Sequence, residues 1–179
     1  MYADLNVNNE GFPQQFANLS KPSEVPVVNG GILWPDPVNK LFYLYGGEYD
    51  DEKPDSFSLW SYDTIYNTWN NTPVRDVGIM RASYGAGTTD KEQAIGYYYG
   101  GWLSSASVPG FGRKIPTSNL LLYDMIKDQW TNSSGPDKVP RVEGAMVHIP
   151  ASDAGMLVHF GGLEFPDAPD NYTARGVSQ

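Results

Sequence analysis

The chain has 179 residues, 12 Lys and Arg against 21 Asp and Glu, a formal net charge of −9 and no cysteine. An acidic surface without a basic stripe repels nucleic-acid phosphate and anionic lipid, and the lack of Cys excludes disulfides, thiolate metal sites and cysteine nucleophiles. Hydrophobic residues make up 40%, no apolar run is long enough to span a bilayer, and 19 Gly with 14 Pro favour many short strands over long helices.

The first ten residues lack the basic and apolar regions of a secretory signal. Two short strand-like pieces follow in the N-terminal region, Tyr2 to Leu5 and Phe16 to Ser20. From residue 27 onward the order of elements repeats. Gly31 to Trp34 predicts a strand, Asp36-Pro-Val-Asn39 a turn, and Leu41 to Gly47 a second strand stopped by the doublet Gly46-Gly47. The tract Leu59-Trp-Ser-Tyr-Asp-Thr-Ile-Tyr-Asn-Thr-Trp69 then supplies two more strands around a turn at Asp63 to Asn67.

The second copy begins at Tyr84 to Thr88, turns at Thr89 to Glu92 and runs from Ile95 into Gly100-Gly101. Its continuation, Leu120-Leu-Leu-Tyr-Asp-Met-Ile-Lys-Asp-Gln-Trp130, matches the first copy, with Tyr123 and Trp130 standing where Tyr62 and Trp69 stood. A third start at Gly144 to Pro150 turns at Ser152 to Gly155 and reaches Gly161-Gly162, with no Tyr-Asp or Trp after it. Self-similarity at this period marks a repeat architecture. Arg81 and Arg141 precede two of the three starts.

A hydrophobic strand ending in Gly-Gly, then a Tyr, then a Trp about seven positions on, resembles the kelch repeat. The resemblance covers roughly residues 27 to 165. In finer detail, Gly-Gly-Ile-Leu-Trp-Pro-Asp, Leu-Trp-Ser-Tyr-Asp and Gly-Tyr-Tyr-Tyr-Gly-Gly-Trp look like fungal cell-surface kelch proteins. The resemblance implies an all-β, kelch-type β-propeller segment with four antiparallel strands per blade. Its expected parts are a blade tail at 1–26, complete blades at 27–76 and 77–138, a blade head at 139–165 and a frayed tail at 166–179. Propellers close with about 4 to 8 blades, so the chain is expected to be a fragment of a longer ring or to self-associate through its open ends.

Residues that recur at one repeat position admit two readings. The aromatics Tyr43, Tyr45, Tyr97, Tyr99, Phe160, Trp60, Tyr62, Tyr123, Trp69 and Trp130 either stack on carbohydrate or pack blade against blade, and their recurrence favours packing. The doublets read as backbone positions needing positive φ or close approach. Asp50, Asp51, Glu52 and Asp55 form an acidic loop interrupted by Lys53, without a fixed ligand spacing. His148 and His159 sit on two facing strands, close enough in sequence to pair across a hairpin, with no further metal or triad partner nominated. Metal, cofactor and catalytic residues are expected to be none.

Four N-glycosylation acceptors stand at Asn18, Asn70, Asn132 and Asn171. Three of these follow a blade-ending aromatic by one or two residues, which places them in one equivalent loop, a coincidence that favours a secreted history over turn-rich composition alone. The repeats differ most between Gly101 and Tyr123, where the second copy carries seven extra residues. That loop holds Trp102, Phe111, Arg113 and Lys114 among Ser, Gly and Pro, and its counterpart holds Tyr49 and Phe57. It is either a longer solvent loop with Trp102 tucked in, or a binding surface of aromatic and cationic anchors on an adaptable frame.

Taken together these features point to a non-catalytic scaffold presenting loops to a protein or glycan partner, extracellular or at the cell surface. The alternatives are an intracellular kelch adaptor and part of a galactose-oxidase-like propeller enzyme. The copper site of that enzyme family uses a Tyr crosslinked to Cys, and this sequence has no Cys.

Overall fold

The computed structural model of the chain describes residues 2–3, 16–17, 21–50, 54, 57–74 and 78–177. These residues form strands and turns with no α-helix among them. β1 (Tyr2–Ala3) pairs antiparallel with β2 (Phe16–Ala17), and residues 1, 4–15 and 18–20 of the expected N-terminal tail lie outside the described residues.

The first complete blade is β3 (Val28–Asp36), β4 (Leu41–Tyr49), β5 (Ser58–Asp63) and β6 (Thr68–Pro73), antiparallel and in sequence order. The second opens with β7 (Ala86–Asp90) and β8 (Ile95–Tyr99), makes a short side ribbon of β9 (Trp102–Leu103) and β10 (Ile115–Pro116), and resumes with β11 (Asn119–Asp124) and β12 (Gln129–Ser134). The third part comprises β13 (Arg141–Val142), the hairpin of β14 (Ala145–Ile149) and β15 (Met156–Phe160), β16 (Leu163–Glu164) and β17 (Arg175–Gly176).

The hairpins form where the sequence supplies an aspartate and a residue that tolerates a left-handed backbone. Asp36, Asp63, Asp90 and Asp124 each accept two backbone N–H bonds on Oδ1 from residues two and three further on. Four residues after each aspartate the chain turns at φ near 50–60°, at Lys40, Asn67, Ala94 and Asp128, the turn-plus-bulge closure of short hairpins. Equivalent bonds close the outer turns, Tyr62 Oη donating to Asn67 at 2.8 Å and Tyr123 Oη to Asp128 at 2.9 Å. Burial raises the Tyr123 hydroxyl well above the usual phenol range, and this bond to Asp128 adds to the effect.

Blades stack through their backbones. The doublet glycines hold φ of 69–95°, turning the second amide toward the next blade: Gly47 N donates to Ala82 O at 3.0 Å and Gly101 N to Arg141 O at 2.8 Å. A methyl group on Gly46 or Gly100 would run into those same carbonyl oxygens. A second bond repeats beside the first, Tyr84 N to Gly30 O at 2.8 Å and Glu143 N to Tyr84 O at 2.7 Å. Gly30, Tyr84 and Glu143 all adopt positive φ, the shared conformation that aims these groups sideways.

Side chains fill the space between. Trp34 is fully buried, stacks on Tyr45 at 5.0 Å and donates its indole N–H across the blade boundary to Tyr97 O. It occupies the place that Gly96 leaves open, where a Cβ would lie 2.6 Å from the indole ring. The aromatic ladder thus packs blade on blade. Tyr62 and Tyr123 are buried, whereas Trp69 and Trp130 are half-buried because they belong to the outermost strand of each blade.

Residues 166–177 correct the expectation of a frayed tail. They return to the third doublet, with β17 pairing on β16 and Val177 N donating to Gly162 O at 3.1 Å. The second blade closes its side loop the same way, through Thr117 N and Gly101 O at 2.9 Å, so a doublet carbonyl acts as the anchor in both.

Trp130 lies within 6.0 Å of Trp34, Tyr45, Phe57 and Tyr123, on both sides of the blade boundary, whereas among the described residues Trp69 has ring contacts with Phe42 and Tyr62 of its own blade alone. Trp130→Ala is therefore expected to cost about 3–5 kcal/mol in urea unfolding, and Trp69→Ala distinctly less. Equal costs would contradict the inter-blade role.

Candidate functional site

The doublets deliver four side chains to one place. Glu48 and Tyr49 end β4, Arg81 and Ser83 precede β7, and the loop from Trp102 to Thr117 leaves the second doublet beside them. Trp102 is joined to Ser83 by two backbone bonds, Trp102 N to Ser83 O at 2.7 Å and Ser83 N to Trp102 O at 2.9 Å.

The base of the loop is a built clip. Ser104 and Ser107 are buried and bonded to each other, Ser107 Oγ accepting from Ser104 N at 3.0 Å. The clip then crosses to the first blade: Tyr49 N donates to Ala106 O at 2.9 Å and Ser104 Oγ to Glu48 Oε1 at 2.9 Å. Arg81, only 4% exposed, donates Nε–H to Ser107 O and Nη1–H to Tyr49 Oη, with its guanidinium carbon 4.2 Å from the Tyr49 ring centre. This buried cation rests on carbonyl, phenol and π-face contacts.

Beyond the clip the tip opens. Pro109, Gly110, Gly112, Arg113 and Lys114 are exposed, and Phe111 is half-buried. Lys114 Nζ lies 3.4 Å from Glu48 Oε1 and stands over two rings, 5.1 Å from Trp102 and 5.5 Å from Tyr84. Arg113 approaches Tyr172 of the following loop at 5.9 Å. Beneath them Trp102 meets the buried Phe165 edge-on at 5.0 Å.

Of the residues nominated from sequence, the structure brings Tyr49, Trp102 and Lys114 together, with Phe111 and Arg113 at the tip. Phe57 is a correction. It precedes β5 and packs edge-on against Tyr45 at 5.5 Å and Trp130 at 5.9 Å, so its ring belongs to the inter-blade core and not to this surface. Asp51, Glu52, Lys53, Asp55 and Asn18 lie outside the described residues, while Asp50 accepts a bond from Asn29 Nδ2 at 3.0 Å. His148 and His159 share a face of the third hairpin, but each stands opposite an apolar partner, Leu157 and Met146, and packs on the second blade, on Tyr97 and Tyr99. Burial, followed by the nearby Arg141 charge, lowers the His159 pKa.

Asn70 and Asn132 lie on the outer strands β6 and β12 rather than in a loop. Asn70 stands opposite Ser61 and Asn132 opposite Leu121, one and two residues past their tryptophans, so strand alternation puts them on opposite sheet faces. Both are exposed, as is Asn171, whose Oδ1 accepts from Thr173 Oγ1 at 2.8 Å.

Arg81, Glu48, Ser104 and Ser107 were not nominated from sequence as site residues. The only sequence signal was an arginine ahead of a blade start, and Arg141 shows how weak it is. Arg141 pairs instead with Asp137 at 2.7 Å and Tyr99 Oη at 2.9 Å, and that pairing holds the Asp137 carboxyl below its usual range. The open cleft of about 680 Å³ between β6 and the turn before β12 is lined by Asp128, Trp130 and Pro73 and contains none of the loop cluster.

No family model matches the chain. Over 116 residues, 57% of this chain, it is 31% identical to a kelch repeat-containing protein of Arthroderma benhamiae. The match is to a kelch repeat-containing protein, in line with the repeat pattern of the sequence. The matched stretch spans 17% of that relative's length, and the doublets, Tyr-Asp pairs and tryptophans of the repeat pattern are residues that close and stack the sheets above.

Tyr49→Phe removes the phenol oxygen from Arg81 while keeping the ring. Leaving a buried guanidinium donor unpaired is expected to cost about 1–3 kcal/mol in urea unfolding. An unchanged midpoint would show that the clip does not depend on this bond.

Proposed function

We propose that the protein is a non-catalytic interaction scaffold that presents the loop tip 108–114 to a protein or glycan partner outside the cell. The observation that carries this reading is Lys114, 48% exposed, held over Trp102 and Tyr84 on a loop whose base is locked. A cation on half-buried aromatic rings, framed by Gly and Pro, has the make-up of an interface anchor. A locked base also lowers the ordering cost of binding.

The carboxylate of Glu48 and two N–H groups of Arg81 beside the tip are engaged in holding shape. Glu48 serves Ser83, Ser104 and Lys114, and Arg81 serves Tyr49 and Ser107. This supports a presenting role over an acid–base one. The exposed sequons at Asn70, Asn132 and Asn171 support an extracellular setting, as does the likeness to fungal cell-surface kelch proteins.

Deleting Val108 to Lys114 spares Ser104, Ala106 and Ser107, so the variant is expected to fold with an unchanged far-UV spectrum and to lose the partners that wild type captures from cell-surface or cell-wall extracts. Capture of the same partners with the same affinity would exclude the tip. Expression through a secretory pathway is expected to add endoglycosidase-sensitive mass at Asn70 or Asn132, and an unchanged mass would weigh against the extracellular setting.

A further inference from the structure

Arg113-Lys114 is the only pair of adjacent basic residues in the sequence. Between Glu92 and Asp124 these two are also the only charged residues, so no acid on the loop itself opposes the kind of acidic pocket that accepts Arg or Lys.

The backbone around the pair is unoccupied. Among the described residues Gly112, Arg113 and Lys114 make no backbone hydrogen bond: the last one before them runs from Phe111 N to Val108 O at 3.2 Å, and the ladder resumes at Ile115, opposite Leu103. All three are exposed, and a Cβ added at Gly110 or Gly112 would meet nothing within 4 Å. The tip keeps this exposure with a neighbour on each side, Glu48 of the first blade beside Lys114 and Tyr172 of the third part beside Arg113. An endoprotease takes its substrate as an extended strand, through backbone groups that are free to pair, and exposed loop tips of small residues are where chains are nicked. The residue after Lys114 is Ile115, with proline one position further, so the bond that follows the basic pair is an ordinary secondary amide.

We propose that the tip is a processing site for an endoprotease of paired-basic specificity, which cuts after Lys114, and that the cut chain stays one folded body. Hydrolysis breaks the bond from the Lys114 carbonyl carbon to the Ile115 nitrogen. Water supplies the oxygen of a new Lys114 carboxylate, and its two protons go to the Ile115 amine. Drawing Lys114 into the protease costs little, because its contact with Glu48 at 3.4 Å is a surface pair with the lysine 48% exposed.

The contacts that hold the cut ends lie on both sides of the cut. Ile95 to Tyr99 pair with Leu120 to Asp124, so the pieces 1–114 and 115–179 share the sheet of the second blade. Thr117 N, bonded to Gly101 O, fixes the stump after the cut, and the clip at Ser104 and Ser107 fixes the one before it. Once cut, Lys114 stands on a free end, and the loop no longer enforces its place over Trp102 and Tyr84. Cleavage thereby controls the anchor of the interface proposed above, while the cut itself does not depend on what the tip binds.

The test is digestion of the folded chain by an endoprotease specific for paired basic residues, with a synthetic peptide of residues 104–120 as the rate reference. A single cut between Lys114 and Ile115, read by mass, is expected at a rate within about tenfold of the peptide's, since only local opening is required. The two pieces are expected to co-elute in native gel filtration and to separate in concentrated urea. Arg113→Gln and Lys114→Gln, both at exposed positions, are each expected to slow the cut by about tenfold or more, because a charged pocket then meets a neutral side chain. A slower cut of the folded chain, a first cut elsewhere, a rate unaffected by both substitutions, or pieces that part in native buffer overturns the proposal.

Discussion

Every blade boundary depends on a backbone amide donating sideways to a carbonyl of the next blade, at a residue held in positive φ. In an ordinary strand the N–H and C=O groups point within the sheet and are consumed by the ladder. The doublet breaks that rule at one point per blade, freeing an amide to cross the boundary, and glycine is needed because a methyl group would meet the accepting carbonyl. With two such bonds fixing the spacing, Trp34 reaches over Gly96 and its indole N–H reaches Tyr97 O. The aromatic core is a consequence of that spacing as much as its cause.

The loop cluster inherits its position from the same seat. Glu48 and Tyr49 follow the first doublet and Trp102 the second, so the bond from Gly47 to Ala82 brings them alongside Arg81 and Ser83. Ser104 and Ser107 then lock the loop base onto the earlier blade. Rigidity in the base and exposure at the tip are properties of adjacent residues, divided between Ser107 and Pro109.

What the sequence disclosed follows from how local each signal is. The hairpins were legible because each needs one aspartate and one left-handed residue four positions apart, as in Asp63 to Asn67. The doublets and tryptophans were legible because they recur. Arg81 was not, since its partners Tyr49 and Ser107 lie 32 and 26 residues away on either side and become neighbours only when two blades stack. Phe57 was misplaced for a related reason: a residue just ahead of a strand can face loop or core, and the deciding contact, Trp130, belongs to another blade. The sequons at Asn70 and Asn132 looked equivalent by distance from a tryptophan, but a strand turns each successive side chain to the other face, so a one-residue difference separates them.

The clip across the first boundary also shapes how the molecule breathes. A surface loop ordinarily exchanges its amide hydrogens through small local openings of negligible free energy. Here the Tyr49 amide is tied to Ala106 O, so releasing the loop base also exposes the end of β4 and the buried Arg81 contact to Ser107. Those protons should share one opening event with a common free energy, well above that of the tip. Blades one and two with the loop base then behave as a single cooperative unit, and slow exchange at Tyr49 reports the intact boundary between them.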